Sequence, residues 1–285
     1  MVSLNQCSDV SPSNTKHLNR GGLKYLERFL GLRLDNVVST DAVFISLDLE
    51  VASDRQKLHI STDKPLITQV GFASLDTRDL ASLSVSHNLN SLISVQMYQA
   101  EVPPQSRKAT RKRRRPCIFA QTQYISQEEV PTVITENLRI QDDSEPDTPS
   151  GQLRAIVLVG HSIREDLKVL HLLGIDISSI APILAIIDTH TISRFILPPH
   201  HPNLPKLPEQ TFSLMGVLAQ LNCWPHPATF HNAGNDAVYS LYAMLMLAVR
   251  NGNARRAELS ARELVNLDTI ARAVSQIQSD RSPEN

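Results

Sequence analysis

Apolar and polar positions along this chain alternate between two periods. Val43 to Leu47, Leu66 to Leu75, Ala155 to Gly160 and Leu184 to Asp188 are short, mostly apolar runs bounded by polar residues. Such runs predict strands, and the ones with hardly a polar break predict strands buried on both faces. Helical spacing takes over elsewhere. Leu23, Tyr25, Leu26, Phe29, Leu30 and Leu32 recur on one face among Lys24, Glu27 and Arg28, which predicts a helix packed against the domain. Gln127 to Leu138, the segment carrying Leu167, Val169, Leu170 and Leu172, Phe212 to Leu221, Ala233 to Val249 and Ala254 to Ile277 read the same way. Ser162 is expected to cap the second of these, and Ser213 or Thr211 to start the third. Residues 91–98 and Cys117 to Ala120 are expected to add strands. The order predicts an α/β chain, a mixed β-sheet flanked by helices on both faces.

The breaks in the pattern mark loops. Residues 1–16 are rich in Ser and Asn and predict a disordered start, followed by the helix at 17–39. A single large domain is expected over 40–250, with a loop insertion at about 99–152, and residues 251–285 are expected to form a terminal helix and tail. Pro198 to Pro208 holds five prolines and is expected to be a loop. Inside the insertion, Arg107 to Arg115 places seven cations in nine positions between Pro104 and Pro116. Charges that repel so strongly resist packing, so an exposed loop is predicted. Its use stays open among a solvated loop, a nuclear import signal and a phosphate-gripping arm formed by Arg111, Lys112, Arg113, Arg114 and Arg115.

Composition narrows the class. Lys plus Arg number 28 against 29 Asp plus Glu, so net charge says nothing about nucleic acid. Three scattered cysteines, Cys7, Cys117 and Cys223, form no Cys-x-x-Cys pair, which argues against a disulfide scaffold or zinc module. No run reaches the roughly 18 apolar residues that span a bilayer. A soluble protein, cytoplasmic or nuclear and without membrane partners, is expected.

The chemistry begins at the end of the first strand, where Asp48 and Glu50 stand two residues apart. A strand projects such a pair to one side. Two like charges held together favour a cation, and oxygen ligands without Cys or His favour Mg²⁺ or Mn²⁺ over zinc. An isolated Asp-x-Glu is equally a strand running into a charged turn. Further acids decide between these, and they follow in Gly160-His161-Ser162-Ile163-Arg164-Glu165-Asp166-Leu167 and Phe230-His231-Asn232-Ala233-Gly234-Asn235-Asp236-Ala237.

Together with Asp48-Leu49-Glu50, these two segments resemble the three exonuclease motifs of the DEDD superfamily, and the His231-x4-Asp236 spacing is that of its DEDDh branch. More narrowly, Gly-His-Ser-Ile and His-Asn-Ala-Gly-Asn-Asp-Ala are similar to fungal DEDDh proteins related to an Argonaute-associated exonuclease and to a factor linked with mRNA export. The likeness runs over roughly residues 40–250, with all five signature positions in order. It implies an RNase H-like fold, with the second strand antiparallel to the first. The activity implied is metal-dependent 3′-to-5′ exonuclease action on single-stranded nucleic acid, RNA rather than DNA. An Argonaute or mRNA-export partner is implied by resemblance alone.

Two divalent ions about 4 Å apart suit phosphodiester cleavage, one activating water and the other neutralising the leaving oxygen. By resemblance, Asp48 would bridge both ions, Glu50 and Asp236 would support the nucleophile side, and Asp166 would hold the second ion. His231 would take the proton from water. Gly234 is expected to let the backbone turn tightly there. Glu165 should point away from Asp166. Leu49 and Trp224 are candidates for base contacts or for plain packing. The rival reading is a nucleic-acid-binding adaptor that keeps the fold without the reaction.

Overall fold

The computed structural model describes residues 15–33, 41–52, 65–81, 89–102, 115–142, 151–198 and 212–279. The chain runs α1 (Thr15–Phe29), β1 (Val43–Val51), β2 (Ile67–Asp76), α2 (Thr77–Ala81), α3 (Leu89–Leu92), β3 (Ser94–Ala100) and β4 (Thr122–Ile125). It continues through α4 (Val130–Leu138), β5 (Ile156–Gly160), α5 (Arg164–Leu172), α6 (Ile177–Ile180), β6 (Ile183–Asp188) and α7 (Thr189–Ile196). Helices α8 (Leu214–Gln220), α9 (Ala233–Ala254) and α10 (Ala261–Ser279) complete it. Among the described residues no helix is long and apolar enough to cross a membrane.

One sheet of six strands, in the order β4-β3-β2-β1-β5-β6, forms the middle layer. β1 and β2 pair antiparallel, as do β2 and β3, while β1–β5, β5–β6 and β3–β4 are parallel. Strand parity sorts the core into two layers. Phe44, Ala73, Leu75, Val157 and Val159 belong to a core shared with α1, α7, α8, α9 and α10. Their neighbours Ile45, Leu47, Val70, Phe72, Ile156 and Leu158 belong to a second core shared with α4, α5 and α6. Both faces of the central strands are thus covered, which is why β1 and β5 read as nearly unbroken apolar runs. This is the α/β arrangement expected, consistent with an RNase H-like fold.

Helix α9 is the largest single piece of that core. Its residues from Ala233 through Ala248 are all buried, so its first turn is set against the sheet as firmly as its middle. Glu27, expected on the polar face of α1, is instead buried, with Arg255 donating to both of its oxygens at 2.8 and 2.9 Å. Asn251 and Arg33 add further bonds to the same carboxylate. Burying that charge is tolerable only because cations and amides surround it.

Several local expectations differ from the structure. Cys117 to Ala120 is not a strand; the sheet resumes at Thr122. The backbone there finds other partners, with the Ile118 N–H donating to Asn235 Oδ1 and the Pro116 carbonyl accepting from Asn235 Nδ2. Helix α4 begins at Val130 rather than Gln127, and a break at residues 255–260 separates α9 from α10. Ser162 does not cap α5. It takes a left-handed φ of 62° and turns its N–H to Asp188 Oδ1, leaving Ile163 at the helix start. Residues 1–14 and 199–211, the expected disordered start and most of the proline-rich loop, lie outside the described residues.

Candidate active site

Strand β1 delivers the first two carboxylates. The parity that puts Phe44 on the α9 side puts Asp48 and Glu50 there too. Gly71 of β2 stands opposite Asp48 in the ladder. A Cβ at Gly71 would lie 2.0 Å from the Ala233 carbonyl oxygen and 2.4 Å from Gly234 N. The first turn of α9 therefore rests directly on the strand beside Asp48, with no side chain between. Gly234 makes a second close approach, since a Cβ there would come within 2.9 Å of Cys117 Sγ. Its backbone is helical rather than a turn, so the turn expected of it belongs elsewhere.

That turn is at His231, a non-glycine residue in the left-handed region with φ 58°. Strain of this kind persists only where the surroundings hold it. On one side the His231 N–H donates to Asp236 Oδ2 at 2.8 Å. Asn232 next caps α9 by accepting from Asn235 N at 3.1 Å, and Ala233 N–H donates to Gln69 Oε1 at 3.1 Å. Gln69 is buried in β2 and passes a bond to Gln99, whose amide donates to the Thr68 carbonyl. The helix start is thus tied to the sheet through polar groups that take up the N–H of Ala233 and of Asn235.

Asp166 arrives from the opposite layer. It lies in the first turn of α5, almost fully buried, and its Oδ1 accepts the Leu49 N–H at 2.9 Å. Leu49 thereby links β1 to the second motif through its backbone, while its side chain packs beside the second core. Glu165, its neighbour, is exposed and pairs with Lys168, as expected of a residue pointing away.

The carboxyls of this cluster repel one another. Burial raises Asp48 well above the carboxylate range, and the charges of Asp236, Asp166 and Glu50 push it further. Asp166 is raised to about 7, chiefly by burial, although the Leu49 N–H pulls the other way. Asp236 rises to about 8 through burial and then through Glu50, against the His231 and Asn232 amides and the charge of Arg115. Asp236 Oδ1 is buried and has no hydrogen-bond partner. A buried oxygen left unsatisfied is costly, so this atom is aimed at something outside the chain.

Glu50, His231 and Asp236 each offer a donor atom, and these atoms lie within 4.8 Å of one another. Asp48 and Asp166 are not in that set of three, but both stand near enough to feel the charge of Glu50, and Asp48 feels those of Asp236 and Asp166 as well. The orphan oxygen, the crowded carboxyls and the all-oxygen and imidazole donors fit a divalent ion.

His161 is a structural part of this frame. Its ring is almost buried, with Nδ1 3.0 Å from Thr189 Oγ1 and Nε2 2.9 Å from the Phe212 carbonyl. Only an N–H can meet a carbonyl, so Nε2 carries a proton, while the Thr189 hydroxyl beside Nδ1 donates to the Gly160 carbonyl at 3.0 Å. Burial and the neighbouring His190 hold its pKa down to about 4.

The nucleic-acid candidates divide. Arg111, Lys112, Arg113 and Arg114 lie outside the described residues. Arg115 stands at the site, where its Nη1 donates to the Pro227 and Phe230 carbonyls at 2.8 and 2.7 Å. Trp224 is 47% exposed in the loop after α8. Residues the sequence reading passed over are Gly71, Gln69, Asn232, Asn235 and Asp188. A glycine inside a buried strand is itself a signal of close backbone approach, and a glutamine in such a strand is a signal of a buried polar tie.

A family model described as DNA polymerase III subunit epsilon-like, C-terminal domain, under the heading DEDDh_C, matches residues 43–247. No curated protein matches the chain.

Proposed function

We infer, since the chain belongs to the DEDDh family of exonuclease domains, that it removes nucleotides from the 3′ end of single-stranded nucleic acid, RNA in preference to DNA. The observation that carries the reading is the convergence of Asp48, Glu50, Asp166 and Asp236, with one buried oxygen of Asp236 left unpaired. Crowded, destabilised carboxyls of this kind belong to sites that bind ions rather than to packed cores.

Asp48, Glu50, Asp166 and Asp236 would hold two Mg²⁺ or Mn²⁺ ions. When bound, such ions activate water and neutralise the leaving oxygen. The remaining work falls to the chain. His231 takes the proton of the attacking water on a ring nitrogen and releases it to solvent, to which the ring is open. Asp236 holds the His231 backbone, so base and ligand move together. The Leu49 N–H keeps Asp166 turned toward β1. The strand-end frame orients these groups in advance, which is where most of such a rate enhancement resides.

The 3′ direction and the RNA preference are supported by the His231-x4-Asp236 motif and its resemblance to RNA-directed relatives. Nuclear entry through residues 107–115 and an Argonaute or mRNA-export partner belong to the same proposal. The test is degradation of 5′- and 3′-labelled RNA and DNA strands with Mn²⁺ by the native protein and by Asp48→Ala. Stepwise shortening of 5′-labelled RNA, fast release of the 3′ label, slower action on DNA and an inert variant are expected. Equal products from both proteins, or none from either, would leave the fold as a binding module.

A further inference from the structure

The last residue of the basic run points inward as well as outward. Arg115 Nη1 donates to the carbonyls of Pro227 and Phe230, and Phe230 immediately precedes the left-handed residue His231. The loop returns the grip. Asn232 Nδ2 donates to the Arg115 carbonyl at 2.8 Å, Asn235 Nδ2 donates to the Pro116 carbonyl at 3.1 Å, and the Ile118 N–H donates to Asn235 Oδ1 at 2.9 Å. Residues 115–118 and 227–235 thus clasp each other from both sides.

His231 is held on its C-terminal side by its own N–H to Asp236. Asp236 cannot reach the N-terminal side, where the chain must be kept in place if a left-handed histidine is to persist. Arg115 supplies that hold. A planar guanidinium can aim two N–H bonds from one nitrogen at two carbonyls with little loss of freedom, which a lysine ammonium does less well. Its charge also faces Asp236.

We propose that Arg115 is a positioning residue, whose guanidinium locks the Pro227 and Phe230 carbonyls and so fixes the His231 imidazole toward Glu50 and Asp236. It acts through His231 and not on the phosphate. The idea rests on the nuclease reading above, and it ties the insertion to the catalytic loop. A displacement of about 1 Å in such a group costs on the order of 100-fold in rate.

The test compares native protein with Arg115→Ala and Arg115→Lys on two readouts. In steady-state cleavage of a single-stranded oligonucleotide with Mn²⁺, Arg115→Ala should lose roughly 10- to 100-fold in kcat with KM little changed. Arg115→Lys should be intermediate, and millimolar guanidinium ion should partly restore Arg115→Ala. In amide hydrogen exchange, the peptide covering residues 226–236 should exchange about tenfold faster in Arg115→Ala, with peptides from β1 and β5 unchanged. A raised KM at native kcat would assign Arg115 to the substrate and overturn the proposal. Unchanged exchange at 226–236, or faster exchange everywhere, would overturn it as well. Native protein without activity would sink the nuclease reading, while the exchange data would still decide whether Arg115 holds this loop.

Discussion

Asp48 and Gly71 face each other across the β1–β2 ladder, and the glycine's missing side chain is the space in which the start of α9 sits. Two strands and a helix therefore meet at one point without an intervening residue. Asp236, three residues into that helix, is carried to the carboxylates of β1 by this approach, and so is the loop that holds His231.

Gly71→Ala follows directly. The new methyl would overlap the Ala233 carbonyl at 2.0 Å, backbone that cannot step aside as a flexible side chain could. The start of α9 would have to lift by an ångström or more. We expect a loss of about 1–3 kcal/mol in stability, typical of overpacking, with cleavage falling roughly 100-fold. Thermal unfolding and turnover check it together. A variant with native kcat would show that α9 need not touch the strand.

Asp48→Asn separates binding from folding. It removes a carboxyl whose ionisation is disfavoured by burial and by the charges of Asp236, Asp166 and Glu50, while keeping nearly the same shape. Without metal, the variant should be more stable than native protein by about 0.5–2 kcal/mol, since the carboxyls are arranged for ligation and not for packing. Its activity should fall more than about 100-fold. Calorimetry in EDTA alongside turnover in Mn²⁺ measures both, and a variant less stable than native would remove the repulsion argument.

The central strands were legible, and the five candidate site residues stand out, because each leaves a periodic or local mark. Burial on both faces writes β1 and β5 as apolar runs, and a carboxylate at a strand end or in a helix's first turn stands out against them. What surrounds the site was harder to read. Cys117 to Ala120 has strand-like composition, yet its backbone is taken by Asn235, whose side chain pairs at a distance no local pattern records. Ser162 resembles a cap, but Asp188 draws its N–H away and the helix begins without it. Gly234 suggested a turn, whereas the left-handed residue is His231 and the glycine serves contact with Cys117. The first two departures come from bonds between residues far apart in sequence, and the third from a close packing contact.

His161 gives a spectroscopic prediction. With Nε2–H on the Phe212 carbonyl and the ring buried beside His190, it should remain neutral until pH falls to about 4. Nitrogen-15 NMR of the imidazole should find the Nε2–H tautomer across the range from pH 5 to pH 8. His161→Ala would leave the Phe212 carbonyl without its ring donor, at about 1–3 kcal/mol, with kcat of the folded fraction little changed, while the Thr189 hydroxyl keeps its bond to the Gly160 carbonyl. A ring that titrates near its ordinary value of about 6.5 would contradict the burial described.

The raised acids make metal-free stability depend on pH in a particular direction. Asp166 near 7 and Asp236 near 8 keep protons that the unfolded chain, with carboxyls near 4, has already released. The native state binds more protons across that window, so unfolding free energy falls as pH rises. The contribution is complete below about pH 4 and is lost as pH passes 7 and then 8. In EDTA, Tm should therefore decline between pH 5 and pH 8, and the decline should be shallower in Asp236→Asn. Mn²⁺ binds the ionised form, so its addition at pH 7 should release protons and raise Tm more at pH 8 than at pH 5. Potentiometric titration and thermal scans measure the two effects. An equal pH slope in Asp236→Asn, or metal uptake without proton release, would mean that these carboxyls are already ionised in the empty site.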